Sequence, residues 1–237
     1  MAEALARLRT RTVSADLHRI VPSRFPPVGI FDTARDAEEL EMLAELEGLT
    51  NERLRQALGQ IQLVAPEDVL VGAGTTPIMA AFCHPSPSRF TDGSFGIYYA
   101  GLDERTAILE TVHHRTRMLR DAGIPQEALE MRRYVSRLKQ PMTLLPPAQR
   151  TMLLDPDDYS APQRFGATLH ARRAWGIYYP SVRDAGGHCV GVLRPPALAP
   201  VRQASHYRYY WDGERIDRVE RIETFAIDGK GLAKQKN

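Results

Sequence analysis

One stretch fixes much of what this chain can fold into: R-F-T-D-G-S-F-G-I-Y-Y-A-G-L-D-E-R-T-A-I-L-E, residues 89–110. Asp92-Gly93 is a turn signal. Gly96 to Gly101 is short, aromatic and bounded by glycines, as a strand should be. Asp103 is a good N-cap, and Thr106 to Glu110 continues as helix. An arginine thus precedes a strand, a tyrosine sits on it, and a carboxylate lies about two turns into the helix behind it. A strand running into a helix brings such groups to one end of a sheet.

A chain of 237 residues is long enough for one large domain, or for a domain plus an extension. With 43% hydrophobic and 25% charged residues it reads as a soluble globular protein. A net charge of +2 gives no argument for nucleic acid or a membrane surface. No apolar run approaches the roughly 18 residues of a membrane span. The N-terminus, M-A-E-A-L-A-R-L-R-T-R-T, lacks the apolar core of a secretory signal, and Glu3 argues against an organelle transit peptide. Cys83 and Cys189 imply no disulfide framework and read as two buried thiols of a cytoplasmic protein. No Cys-His signature surrounds either one.

Taken in order, residues 1–15 read as a weak helix or a frayed arm. Leu17 to Val21 reads as a first strand ended by Pro22. Thr33-Ala34-Arg35-Asp36 resembles a capping box, and the helix after it carries Leu40, Leu43 and Leu46 on an apolar stripe. Gly48 stops that helix, and Thr50 caps a second one holding Leu54 and Leu58. Ile61 to Val64 reads as a strand, and Ile78 to Phe82 as a buried apolar segment. Pro125 to Leu129 restarts a helical pattern after Gly123. Arg132 to Leu138 alternates as a strand does, and Pro141 to Pro147 adds a shorter one. Ser160-Ala161-Pro162-Gln163 gives a helix start of two kinds, a Ser-x-x-Gln box and an early proline. Gly176 to Ser181 and His188 to Leu193 read as strands. His206 to Trp211 and Glu214 to Val219, joined by Asp212-Gly213, read as a hairpin.

The chemistry on offer is one Arg, one or two Tyr, one Glu and one Ser. Arginine presents a planar fork to phosphate or carboxylate. A tyrosine face suits a flat cationic ring. A lone carboxylate stabilises developing positive charge or acts as a base. A ligand with a diphosphate, a cationic ring and a scissile glycosidic bond would use all of these. NAD+ is one such ligand, and the residues alone are compatible with many others. Ser181 is no hydrolase nucleophile, since Tyr179 and Arg183 stand where G-x-S-x-G needs glycines. Glu110, His113 and His114 share a helix face, but they are not H-E-x-x-H and no second Glu-x-x-His accompanies them. No metal is therefore expected.

Arg89, Tyr99, Glu110 and Ser181, with H-R-I at 18–20 and Y-Y-W-D-G-E-R-I at 209–216, resemble the RES-domain family, named for its Arg, Glu and Ser. The resemblance implies an α/β (α+β) single domain with an ADP-ribosyltransferase-like core of short strands and helices, plus a helical N-terminal region. It divides the chain into an N-terminal strand and helical region (1–75) packed on the core, a catalytic core (76–228) and a loose basic tail (229–237). It implies a toxin of a bacterial type II toxin–antitoxin system that cleaves the nicotinamide–ribose bond of NAD+. ADP-ribose would pass to a protein, phosphate or water.

In that scheme Glu110 hydrogen-bonds the nicotinamide ribose and stabilises its oxocarbenium-like transition state. Arg89 holds phosphate or orients the ribose, Tyr99 packs on the nicotinamide ring, and Ser181 hydrogen-bonds within the pocket. Arg19 is a fifth candidate for binding NAD+. The implied partner is a helix-turn-helix antitoxin in a hetero-oligomer, with no direct nucleic-acid binding by this chain. Two departures from the family pattern stand out: the long N-terminal helical region, and Phe90-Thr91 where a Trp-Asn pair is usual. The alternative from another class is a non-enzymatic module that binds a partner protein through helices in 33–58.

Overall fold

A computed structural model describes residues 8–24, 29–46, 58–223, 225–228 and 231–234 of the protein. In chain order the first elements are β1 (Thr10–Arg11), β2 (Asp16–Pro22), α1 (Ile30–Thr33), α2 (Ala37–Leu46) and α3 (Thr76–Cys83). They are followed by β3 (Tyr98–Gly101), α4 (Glu104–Asp121), β4 (Glu127–Arg137), β5 (Met142–Leu144), α5 (Arg150–Leu153) and α6 (Ser160–Ala171). The chain closes with β6 (Gly176–Pro180), β7 (His188–Val192), β8 (Arg202–Trp211), β9 (Ile216–Ile222), β10 (Phe225–Asp228) and β11 (Gly231–Lys234).

The fold is mixed α/β. Nine strands form one sheet in the order β1-β5-β6-β7-β3-β2-β4-β8-β9. Strands β5 and β6 run parallel, and the other neighbours run antiparallel. Side chains alternate between the two faces, as the strand repeat requires. Tyr98, Tyr178, Val190 and Val192 join Leu17 and the α3 residues Ile78, Met79 and Phe82 in one core. Tyr179, Cys189 and Ile177 turn the other way, onto Phe165 and Leu169 of α6. Ile20, Met131 and Tyr207 meet Ala107 and Leu119 of α4. Helices α4 and α6 thus cover the Tyr99 and Tyr179 face, and α3 covers the opposite one.

Strand β2 follows β4 over seven residue pairs but meets β3 at one, His18 opposite Gly101. Beyond that pair β2 and β3 part. This opening in the middle of the sheet lies beside Tyr98 and Tyr99, and it is where polar side chains reach between strands.

Helix α4 starts as its sequence demands. The Asp103 carboxylate accepts the Thr106 N–H at 2.7 Å, a cap that stabilises by about 1 kcal/mol. The 202–222 hairpin also forms. Several local expectations are corrected. Thr10 and Arg11, expected in a helix or frayed arm, pair with Thr143 and Met142 on the edge strand β5. Ile61–Leu63 is a 3-10 turn, because Leu63 and Val64 N–H groups bond back three residues instead of across to a strand. Glu127 to Leu129 is the start of strand β4, paired to Trp211 through Tyr209, and not a helix. At Ser160 the helix begins, but the Ser-x-x-Gln box is not made: Asp158 accepts the Ser160 N–H, and Gln163 donates to the Ser88 carbonyl. Gly231–Lys234, expected to be loose, pairs with Phe225–Asp228.

Leu40 and Leu58 are buried in the main core. The expected second helix capped by Thr50, with Leu54, lies outside the described residues. Among the described residues no helix is long and apolar enough to cross a membrane.

Candidate active site

Ser181 follows β6 directly, and its hydroxyl is held on three sides. It accepts the N–H groups of Arg183 at 3.1 Å and Asp184 at 2.9 Å. With both lone pairs occupied, its single proton points to Glu110 Oε1, 2.6 Å away. The turn carrying Ser181 is closed by Ser181 N–H on the Gly187 carbonyl and Gly187 N–H on the Asp184 carbonyl, both 2.9 Å. Gly187 has no room for a side chain, since a Cβ would lie 2.4 Å from Thr106 Oγ1. Thr106 Oγ1 in turn donates to the buried Asp184 at 2.7 Å. The first turn of α4 therefore anchors the 181–187 turn, and the second turn presents Glu110 to it.

Cys189 Sγ lies 3.9 Å from the same Glu110 oxygen. Burial, then the nearby Glu110 charge, push its thiol pKa up, so it stays protonated. Glu110 Oε1 is thus engaged by the protein, whereas Oε2 makes no hydrogen bond among the described residues. The half-buried carboxylate keeps one oxygen for something else.

Tyr99 fixes the segment that bears Arg89. Its hydroxyl accepts the Phe90 N–H at 3.0 Å and shares a hydrogen bond with Ser88 Oγ at 2.9 Å. Burial raises its pKa to about 12, so it is a neutral phenol at working pH. Arg89 between these two anchors is 8% exposed. Its Nη1 donates to the Asp155 carbonyl at 2.7 Å, and its guanidinium lies 4.7 Å from the centre of the Tyr159 ring. Tyr99→Phe removes both clamps at once and leaves the Phe90 N–H without a partner. Its expected cost is about 1 kcal/mol or more in urea unfolding. Unchanged stability would show that Tyr99 does not hold the 88–90 segment.

Arg19 fills the opening between β2 and β3. Its Nη1 donates to the Tyr99 carbonyl at 3.0 Å, and its guanidinium stacks 4.7 Å from the Tyr98 ring centre. Its Nε is buried without a hydrogen-bond partner, and burial lowers its pKa. No carboxylate forms an ion pair with Arg19 or Arg89 among the described residues.

His113 and His114 follow Glu110 on the same helix face. Burial, then Arg183, hold the His113 pKa down to about 4. Burial also lowers His114, with Glu110 opposing and Arg183, Arg89 and Arg115 adding to the drop. Glu110 and the three arginines thus lie near enough to His114 to act on its charge. Arg183 and Arg115 were not among the sequence candidates. Their signal was only position: two residues after Ser181, and five after Glu110 on α4. Among the described residues no three His, Cys, Asp or Glu side chains converge as a metal site would require.

Residues 68–212 match the RES domain. The chain belongs to the RES domain family. It is 31% identical over 227 residues to the uncharacterized protein y4oC of Sinorhizobium fredii (strain NBRC 101917 / NGR234), across 92% of this chain and 90% of that one. Among solved structures it is similar to the crystal structure of the M. tuberculosis MbcT–MbcA toxin–antitoxin complex, with a TM-score of 0.42 and 12% identity over 86% of this chain and 87% of that chain. Arg89, Tyr99, Glu110 and Ser181 all fall inside the matched RES domain. Arg19 precedes it, on β2, and reaches the Tyr99 carbonyl.

Proposed function

We propose that this RES-domain protein is the toxin of a type II toxin–antitoxin pair, acting in the cytoplasm. It breaks the nicotinamide–ribose bond of NAD+ and transfers ADP-ribose to a protein, phosphate or water. The observation that carries this reading is the Glu110–Ser181 pair. Ser181 pins one carboxylate oxygen and leaves the other unbonded, 71 residues of chain having been folded to do so. Such a group is preorganised to meet positive charge as it develops on a ribose, and costs no reorganisation at that moment.

The other residues suit the rest of NAD+. Arg19 keeps a buried N–H without a partner and no carboxylate for its charge, which is what an anion such as a diphosphate would satisfy. Arg89, held by Tyr99, would add a second cation, and the half-buried Tyr99 would offer its ring to the nicotinamide. The Tyr159 ring and the Asp155 carbonyl already contact Arg89, so Arg89 orients that wall of the site as well as supplying charge. Glu110 would bind the nicotinamide ribose through Oε2, and Ser181 would keep Oε1 in place. No step calls for a metal.

The proposed partner is a helix-turn-helix antitoxin that blocks this basic site in a hetero-oligomer. Expression of the full chain alone should arrest bacterial growth, and Glu110→Ala should relieve the arrest at equal soluble protein. Normal growth at high soluble expression of the unaltered chain would count against the toxin reading.

A further inference from the structure

A cavity of about 640 Å³ lies at the β1–β5 edge of the sheet, walled by α5 and α6. It shares no lining residue with the Glu110, Ser181, Arg89 group. Its floor is apolar: Leu145, Leu153 and Phe165 are buried side chains of the adjoining core. Its rim is cationic. Arg9, Arg11, Arg150 and Arg164 all line it, and no Asp or Glu does. None of the four arginines forms an ion pair among the described residues. Arg11 is turned inward, 3.4 Å from the Tyr178 hydroxyl and 5.0 Å from the centre of its ring.

The volume falls in the range of small-molecule sites, roughly 300–1,000 Å³. An apolar floor under a rim of guanidinium groups with no carboxylate among the lining residues selects a ligand with an apolar body and an anionic head. Guanidinium forks match carboxylate and phosphate, and they repel a cationic head. A membrane surface is disfavoured, because Met152 is the one exposed large hydrophobic residue among those lining the cavity, too little to insert into a bilayer.

We propose that this cavity binds a soluble anionic amphiphile, of the class of medium-chain carboxylates. The site is independent of the NAD+ reading and does not require it. The test is calorimetric titration of the full chain with decanoate, decanol and decyltrimethylammonium, each kept monomeric. Decanoate should bind once per chain, and the cationic and neutral analogues at least about tenfold more weakly. The double variant Arg150→Glu/Arg164→Glu reverses two exposed charges and should weaken decanoate by about tenfold or more. Met152→Trp, which narrows the mouth without touching the core, should weaken it as well. Absence of decanoate binding, equal binding of decanol, or unchanged affinity in the charge-reversed protein would overturn the proposal. Co-sedimentation with phosphatidylglycerol vesicles that the charge reversal abolishes would overturn the choice of a soluble ligand.

Discussion

Glu110→Gln is expected to cut NAD+ turnover by about 10²–10³-fold, roughly 2.7–4 kcal/mol of transition-state stabilisation, with thermal unfolding unchanged. The amide keeps an oxygen that can accept the Ser181 proton at the place where the carboxylate now accepts it at 2.6 Å. Shape and the Ser181 contact therefore survive, and only charge is lost. A carboxylate that meets the ribose cation acts mainly in the transition state, so the loss should fall on turnover more than on NAD+ binding. Glu110→Ala should fail equally in turnover. It also strands the Ser181 hydroxyl, whose lone pairs remain held by the Arg183 and Asp184 N–H groups. A cost of about 1 kcal/mol in stability accompanies it. Activity near that of the unaltered protein in the Gln variant would remove Glu110 from the chemistry.

Gly166→Ala is expected to destabilise the protein by roughly 1–3 kcal/mol or more in urea unfolding. Helix α6 crosses the 88–90 segment at this glycine, and an added Cβ would lie 1.9 Å from the Phe90 carbonyl oxygen and 2.8 Å from its carbon. Backbone, not the end of a flexible side chain, stands in the way. The helix or the segment must shift, and Phe90 is the residue after Arg89. NAD+ turnover should therefore fall beyond what the lost stability explains, through displaced Arg89 and Tyr99. An alanine variant as stable and active as the parent would show that α6 does not fix this side of the site.

The parts legible in the sequence are those decided by short-range chemistry. Asp103 announced the start of α4, Asp212-Gly213 announced the β8–β9 hairpin, and Gly176 to Pro180 announced β6. Family resemblance implied only that Ser181 hydrogen-bonds within the same pocket as Glu110; the direct bond from Ser181 to Glu110 Oε1 was not legible. Elements settled by distant contacts were not legible. Two residues, Thr10 and Arg11, are a strand only because β5 leaves an edge for them. Glu127 to Leu129 has a helical pattern, and pairing with β8 overrides it. Gln163 abandons a capping box for the Ser88 carbonyl, 75 residues away. The contacts of Arg89 were equally hidden. Asp155 and Tyr159 sit in a loop with no motif of its own, and nothing local says that they close on an arginine 66 and more residues earlier. Tyr99, expected as a ring for nicotinamide, uses its hydroxyl to clamp both neighbours of Arg89.

Chromatography of NAD+ incubated with the purified full chain, in the presence of phosphate, tests the central claim most directly. The account predicts one nicotinamide released for each NAD+ lost, and essentially none from Glu110→Gln. NAD+ left intact by the folded protein, or equal nicotinamide release by the two proteins, would contradict it.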